Sequence, residues 1–289
     1  MTLAHDAVAP SELWSSWHPE PLILTTLALT ALLYRQGLAH QRAWRRPAAR
    51  PAEVLAFSGG LLALAVALAS PLEGAASSLF AAHMAQHLLL MVVAAPLLVL
   101  GRPVVVLSQA LPRRWRRVVR ARARRRVRVT AHSLSHPAVV WAVGAMVLWA
   151  WHLPTLYEVA LSHDALHALE HVSLVASSAL IWALALGRGP RSLATPVAVM
   201  VLFATALQSG ALGAVLALAR TPLYPIHAPA APLWGLTPLE DQQLAGVLMW
   251  VPPGLVYVTV MAGLLVRWFA SLDIRAHEPA GAAGARGPS

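Results

Sequence analysis

The chain has 289 residues, 58% of them hydrophobic and only 12% charged, with a mean hydropathy of +0.61. Soluble globular domains carry about 45–50% apolar residues, so lipid must be part of this chain's solvent. The net charge is +10, all 22 basic residues are arginine, and there is no cysteine, which excludes disulfides, thiolate metal sites, iron–sulfur clusters and cysteine nucleophiles.

The N-terminal segment holds Asp6, Glu12 and Glu20 but no arginine before Arg35. This reverses the charge of a cleavable signal peptide, so the first helix is expected to stay attached. In hydrocarbon the backbone must satisfy its own hydrogen bonds, and about 20 apolar residues span the core. The long apolar runs therefore predict an all-α, polytopic membrane protein, a bundle of seven transmembrane helices. They fall at about 20–38, 53–70, 79–100, 138–153, 164–186, 196–219 and 243–268 within a single membrane domain over 1–275. The first and fourth have the shortest uninterrupted apolar stretches. Trp14, Trp17, Trp44, Trp151, Trp182, Trp234 and Trp268 lie near the proposed ends, where interfacial aromatics gather. Residues 276–289, rich in Ala, Gly and Pro, are expected to form a disordered cytoplasmic tail.

Arginines in short loops stay on the cytoplasmic side. Five lie between Arg35 and Arg50 and eleven between Arg102 and Arg128; Arg188, Arg191, Arg267, Arg275 and Arg286 follow on alternate connections, leaving only Arg220 opposite. With seven helices this puts the N-terminus outside and the C-terminus inside. The run from Arg113 to Arg128 is read as contact with anionic lipid head groups rather than with nucleic acid.

Ionisable residues at membrane depth are costly and mark function. Here they gather at four helix ends that the arginine pattern turns outward. The third helix opens with His83-Met-Ala-Gln-His87, the fourth ends at Trp151-His152-Leu-Pro154, the fifth begins His163-Asp-Ala-Leu-His167-Ala-Leu-Glu-His171, and the seventh begins Glu240-Asp241-Gln-Gln243. Residues four apart share a helix face, so His83 and His87 can meet one metal. His163, His167 and His171 together span about 12 Å, too far for one ion to bind all three easily. Glu170 and Asp164 are candidates to orient imidazoles by accepting a ring N–H. Gln86 and Gln208 are read as interhelical hydrogen-bonding groups, His18 and His227 as structural histidines, and His40, His132, His136 and His277 as surface residues.

Imidazole with thioether and no thiolate suits copper, whereas imidazole alone also suits zinc or haem iron; spacing does not choose between copper and haem. No nucleophile with a base, phosphate loop or paired-carboxylate site stands out, so a conventional enzyme is not expected.

Several segments resemble one family. Ser70-Pro-Leu-Glu, His83-Met-Ala-Gln-His-Leu-Leu-Leu-Met through Ala95-Pro-Leu-Leu-Val-Leu-Gly-Arg-Pro103, Trp151-His-Leu-Pro-Thr-Leu-Tyr-Glu, His163 to His171, Asp241-Gln-Gln-Leu-Ala-Gly and Met249-Trp-Val-Pro-Pro-Gly-Leu255 are together similar to the CtaG-type (caa3 family) integral-membrane cytochrome c oxidase assembly factors. The resemblance covers most of 53–268 and leaves out the long basic loop and the tail. It implies a multi-pass protein of the bacterial plasma (inner) membrane that serves maturation of a haem–copper oxidase by handling copper.

On this reading the histidine cluster binds copper, as Cu(I), and passes it to oxidase subunits, with a periplasmic copper donor a further partner. His83, His87, His167 and His171 are the leading ligands; His152, His163 and Asp241 are secondary. Binding should weaken below the histidine pKa near 6.5, because a protonated imidazole cannot ligate. The alternatives are a membrane b-type cytochrome whose histidines clamp haem, and a copper permease, which needs ligands across the midplane where Gln208 is the clearest polar residue.

Overall fold

A computed structural model describes residues 8–15, 17, 20–43, 49–112, 114–117, 136–187 and 193–277. Among these residues the regular elements are helices, in the order α1 Pro21–Ala43, α2 Pro51–Leu68, α3 Pro71–Ser78, α4 Phe80–Leu100, α5 Pro103–Ala110, α6 Pro137–Trp151, α7 Pro154–Leu161, α8 Asp164–Ala185, α9 Thr195–Ala217 and α10 Pro238–His277. A helical turn at 114–117 also follows α5. Six helices, α1, α2, α4, α8, α9 and α10, are each long and apolar enough to cross a bilayer. The pair α6 and α7, bent by 73° at the break between Trp151 and Pro154, makes a seventh if it is counted as one span. The chain is thus an all-α polytopic membrane protein.

Proline places most of the helix starts. Pro21, Pro51, Pro71, Pro103, Pro137, Pro154 and Pro238 stand at first helical positions, where a missing N–H costs nothing and a fixed φ favours entry into the helix. Pro154 also explains why the fourth run breaks: the residue before a proline is pushed out of the helical region, and Leu153 has φ −68° and ψ 126°. Where the sequence suggested one helix over 138–153, the chain leaves it at His152 and turns sharply. Ala276 and His277, assigned to the tail on composition, belong to the last helix. The rest of that tail, His18, His132, Trp44 and most of the basic run from Arg113 to Arg128 lie outside the described residues.

α4 is helical throughout but passes through a π-helical segment at Leu89–Ala94. Insertions of this kind widen one turn and often sit at functional sites. Within it the Met91 carbonyl accepts hydrogen bonds from Ser178 Oγ at 2.7 Å and Trp182 Nε1 at 3.1 Å. Trp182 is therefore a core residue, 1% exposed and stacked on Tyr257, and not the interfacial aromatic that its position near a helix end suggested.

α9 and α10 pack closely because glycine faces glycine: a Cβ on Gly213 would stand 2.7 Å from the Gly246 carbonyl oxygen. Small residues let membrane helices approach at the backbone, and this contact fixes the N-terminal end of α10 beside the rest of the bundle. On the opposite flank of α9, Trp149 Nε1 donates to Gln208 Oε1 at 2.9 Å, the interhelical bond expected of Gln208. Another part of the bundle holds an apolar cluster built on Ala95, Trp182, Ala185, Leu202 and Tyr257.

Candidate metal centre

α3, the N-terminal half of α4, the bend between α6 and α7, the start of α8, the segment 224–234 and the start of α10 meet at one end of the bundle. Asp241 ties two of them. Its Oδ2 accepts from the Phe80 N–H at 2.8 Å and its Oδ1 from the Ala81 N–H at 2.9 Å. Both amides belong to the first turn of α4, which has no donors' partners of its own and a partial positive charge. Asp241 caps α4 from another helix, so both oxygens of this candidate ligand accept backbone amides, and it belongs to neither group of possible metal ligands.

With α4 held this way, His83 and His87 lie a turn apart on its buried face, ring centroids 4.3 Å apart. α8 brings His167 and His171 opposite them, again a turn apart at 4.3 Å. Across the helix pair, His83 lies 5.4 Å from His167 and 6.1 Å from His171, and His87 lies 5.4 Å from His171. Ligand atoms of His83, His87 and His171 all fall within 4.8 Å of one another, and so do those of His83, His167 and Glu170. The four leading candidates are gathered in one place, and together with Glu170 they make two overlapping trios that share His83.

The nitrogens of His83 and His87, Nε2 of His171 and both carboxylate oxygens of Glu170 are buried without a hydrogen-bond partner. Leaving such a group unmatched costs about 1–3 kcal/mol. Several turned toward one another make a donor set suited to a cation, and the residue types, imidazole and carboxylate, fit Cu, Zn or Fe equally.

His152 sits at the edge, its ring 5.8 Å from that of His87. Its Nδ1 donates to the Leu148 carbonyl at 2.7 Å, leaving Nε2 with a lone pair 3.2 Å from the sulfur of Met84. His163 stands apart: it is exposed on the connection before α8, with Nδ1 against the Val159 carbonyl at 3.0 Å. The step of four from His163 to His167 does not carry it inward, because α8 begins only at Asp164. Asp164 is exposed as well, and the one carboxylate among the rings is Glu170, whose Oε1 stands 3.6 Å from Nε2 of His87 on α4.

The surroundings contain residues that the sequence gave no reason to place here. His227 is a structural histidine, as expected: Nδ1 donates to the Ser78 carbonyl at 3.3 Å, and Nε2 accepts from the Tyr157 hydroxyl at 2.7 Å. Burial holds it at about 4, the Ser78 carbonyl acting in the other direction. Tyr157 in turn packs edge-on against His83. Gln86 donates to the Ala67 carbonyl at 2.8 Å and to the Glu73 carboxylate. Burial raises Glu73 to about 7, with the Gln86 bond opposing and Glu20 adding. Glu73 lay inside a recognisable motif, Ser70-Pro-Leu-Glu, yet nothing in its spacing pointed to the histidines.

A cavity of about 610 Å³ connects this cluster with the surface, and Glu20, Glu73, Asp164, Trp17, His167 and His171 are among the residues that line it. Three acidic side chains along the route favour a cation on its way to the imidazoles. Trp17 closes one wall by donating Nε1 to the Ala69 carbonyl at 2.7 Å.

Comparison with known proteins adds a family. The cytochrome c oxidase caa3 assembly factor family matches residues 32–271, a stretch that contains every residue of the cluster. Uncharacterised proteins of Mycobacterium bovis and Mycobacterium tuberculosis are each 26% identical to the chain over 266 residues. These alignments cover 87% of this chain but only 39% of the relatives' length. No solved structure matches.

Proposed function

The chain belongs to the cytochrome c oxidase caa3 assembly factor family, and on that premise we propose that it binds copper at the histidine cluster and delivers it to a haem–copper oxidase in the bacterial plasma membrane. The observation that carries this reading is the trio His83, His87 and His171, buried, on two helices, with ligand atoms within 4.8 Å of one another. The arginine pattern supports an outward-facing cluster, because the helix ends that gather here are those opposite the basic connections.

Delivery requires a site that holds copper firmly yet gives it up. Imidazoles open to a cavity suit this better than a closed cage of thiolates, since each can be replaced in turn by a ligand of the recipient. His167 and His171 line the cavity and are the first to meet an incoming ion. His83 and His87 lie behind them. Transfer by ligand exchange moves Cu(I) without a change of oxidation state.

The packing of the rings also bears on the haem alternative. Four imidazoles in mutual contact, with centroids 4.3 to 6.1 Å apart on two adjacent helices, favour a single small ion over a planar macrocycle. The test is metal analysis of the purified chain after copper loading, beside the His83→Ala/His87→Ala variant. Copper should bind stoichiometrically to the first and be largely lost from the second. Equal copper in both rejects the assignment.

A further inference from the structure

On the membrane side of the histidines lies a second, much smaller chamber of about 20 Å³, lined by Met84, His87, Met91 and Met249 together with Leu148, Ser209 and Tyr257. We infer that this chamber is a separate binding site for a soft monovalent cation, Cu(I), formed by the thioethers of Met84, Met91 and Met249 with His87 as the ligand shared with the outer cluster. The inference rests on the copper reading and adds to it a second ion, at a deeper position and of defined oxidation state.

Methionine in a membrane bundle usually packs, so the argument depends on what surrounds these three. The chain has seven methionines, and three of them, from two helices, border one small chamber. Met84 and Met249 are 0% and 4% exposed. A volume of this size admits one water-sized guest and no organic ligand. His87, on its wall, has no hydrogen-bond partner for either ring nitrogen.

The contact between Met84 and His152 points the same way. A carbonyl can only accept, so the His152 proton is on Nδ1, bonded to Leu148, and Nε2 presents a lone pair. That lone pair meets a thioether, which has no proton to give, at 3.2 Å. Two electron-pair donors this close gain nothing from each other, whereas a soft cation held at the Met84 sulfur from the chamber offsets that repulsion.

The backbone near the chamber is locally open. Met91 lies in the π-helical segment Leu89–Ala94, and α10 carries Pro252 and Pro253 inside the helix. The missing N–H groups of these prolines leave the carbonyls of Leu248 and Met249 without their usual helical donors. The chamber therefore has adaptable walls where a site must close around an ion. Thioethers select Cu(I) over Zn(II) and Cu(II), while imidazoles take all three. The arrangement thus filters: the outer histidines collect, and the inner thioethers retain only the reduced ion.

The experiment uses the full chain in detergent, Ag(I) as the probe, counting of bound metal by mass spectrometry, and X-ray absorption to separate sulfur from nitrogen neighbours. Wild-type protein should bind two Ag(I) per chain with sulfur in the coordination shell. The Met84→Leu/Met91→Leu/Met249→Leu variant, conservative in volume, should bind one with nitrogen neighbours only. The His83→Ala/His171→Ala variant should keep the sulfur-ligated ion and lose the other. Should the triple variant fail to fold, Met84→Leu and Met249→Leu singly should each lower the sulfur signal. Wild-type Ag(I) with nitrogen neighbours alone, or a count the methionine changes do not alter, overturns the chamber and leaves the histidine site standing. A count altered by the methionine changes but not by the histidine changes overturns the histidine site instead.

Discussion

Nε2 of His87 stands 3.6 Å from Oε1 of Glu170, and both side chains are sealed from solvent. This places the single carboxylate of the cluster across the helix interface from the ring that borders both the histidine cluster and the inner chamber. A cation among neutral imidazoles in a low-dielectric interior carries an uncompensated charge, which is expensive to bury. With a cation bound, Glu170 is the group placed to supply the opposite charge.

Glu170→Gln keeps the shape of the side chain and removes that charge. Loss of a carboxylate beside a metal-ligating imidazole lowers metal affinity by about 10–100-fold. Competition against a chromophoric Cu(I) chelator should show a change of this order with the copper stoichiometry at saturation intact. An affinity within twofold of wild type would mean that the carboxylate plays no part in holding the ion.

Asp241 makes the opposite prediction. Its two oxygens accept the Phe80 and Ala81 amides, and in Asp241→Asn one acceptor becomes an NH2 group facing an N–H. The cost of leaving that amide unmatched is about 1–3 kcal/mol. Denaturant unfolding in detergent should register the loss, while the folded fraction binds copper as wild type does. Copper loss without destabilisation would return Asp241 to the list of ligands.

Two groups outside the spans give opposite pH slopes. The buried imidazole of His227 is held at about 4, below the ordinary 6.5. Its stabilising contribution is complete above pH 6.5 and is lost as pH falls toward 4, since the unfolded chain takes up the proton more readily in that window. Glu73 is raised from 4.5 to about 7; the native state prefers its neutral form, so stability is complete below pH 4.5 and falls as pH rises through 7. Each shift of about 2.5 units corresponds to roughly 3 kcal/mol at most. His227→Gln should make the acid side of the stability profile less steep between pH 6.5 and 4, and Glu73→Gln should lessen the decline between 4.5 and 7. Parallel profiles for wild type and either variant would show that the group concerned is not buried as described.

The membrane character and the candidate ligands were open to reading in the chain because their signals are local. Apolar runs of about 20 residues announce spans wherever they stand, and His83 and His87, four apart, share a helix face by geometry alone. The same local logic misplaced other residues. His163 continues the step of four but precedes the first turn of α8, and helical spacing means nothing outside the helix. Trp182 sits near a helix end in sequence yet spends its N–H on the Met91 carbonyl, a bond dictated by the distortion of another helix. Asp241, an acidic residue at a helix start, offered itself as a ligand because nothing in its own segment shows that Phe80 and Ala81 are waiting for its oxygens.

By itself, then, the sequence determined that the chain crosses a membrane, where its arginines accumulate, and which side chains are able to bind a metal, since hydropathy, charge and the helical period are properties of short stretches. Tertiary structure alone decided which of those side chains face one another. It put Glu170 against His87, Met84 against His152, and three methionines from two helices around one chamber. Such pairings depend on how far each helix is rotated and how deeply it is set against its neighbours, and those quantities are fixed by contacts such as Gly213 on Gly246, between residues 33 positions apart in the chain.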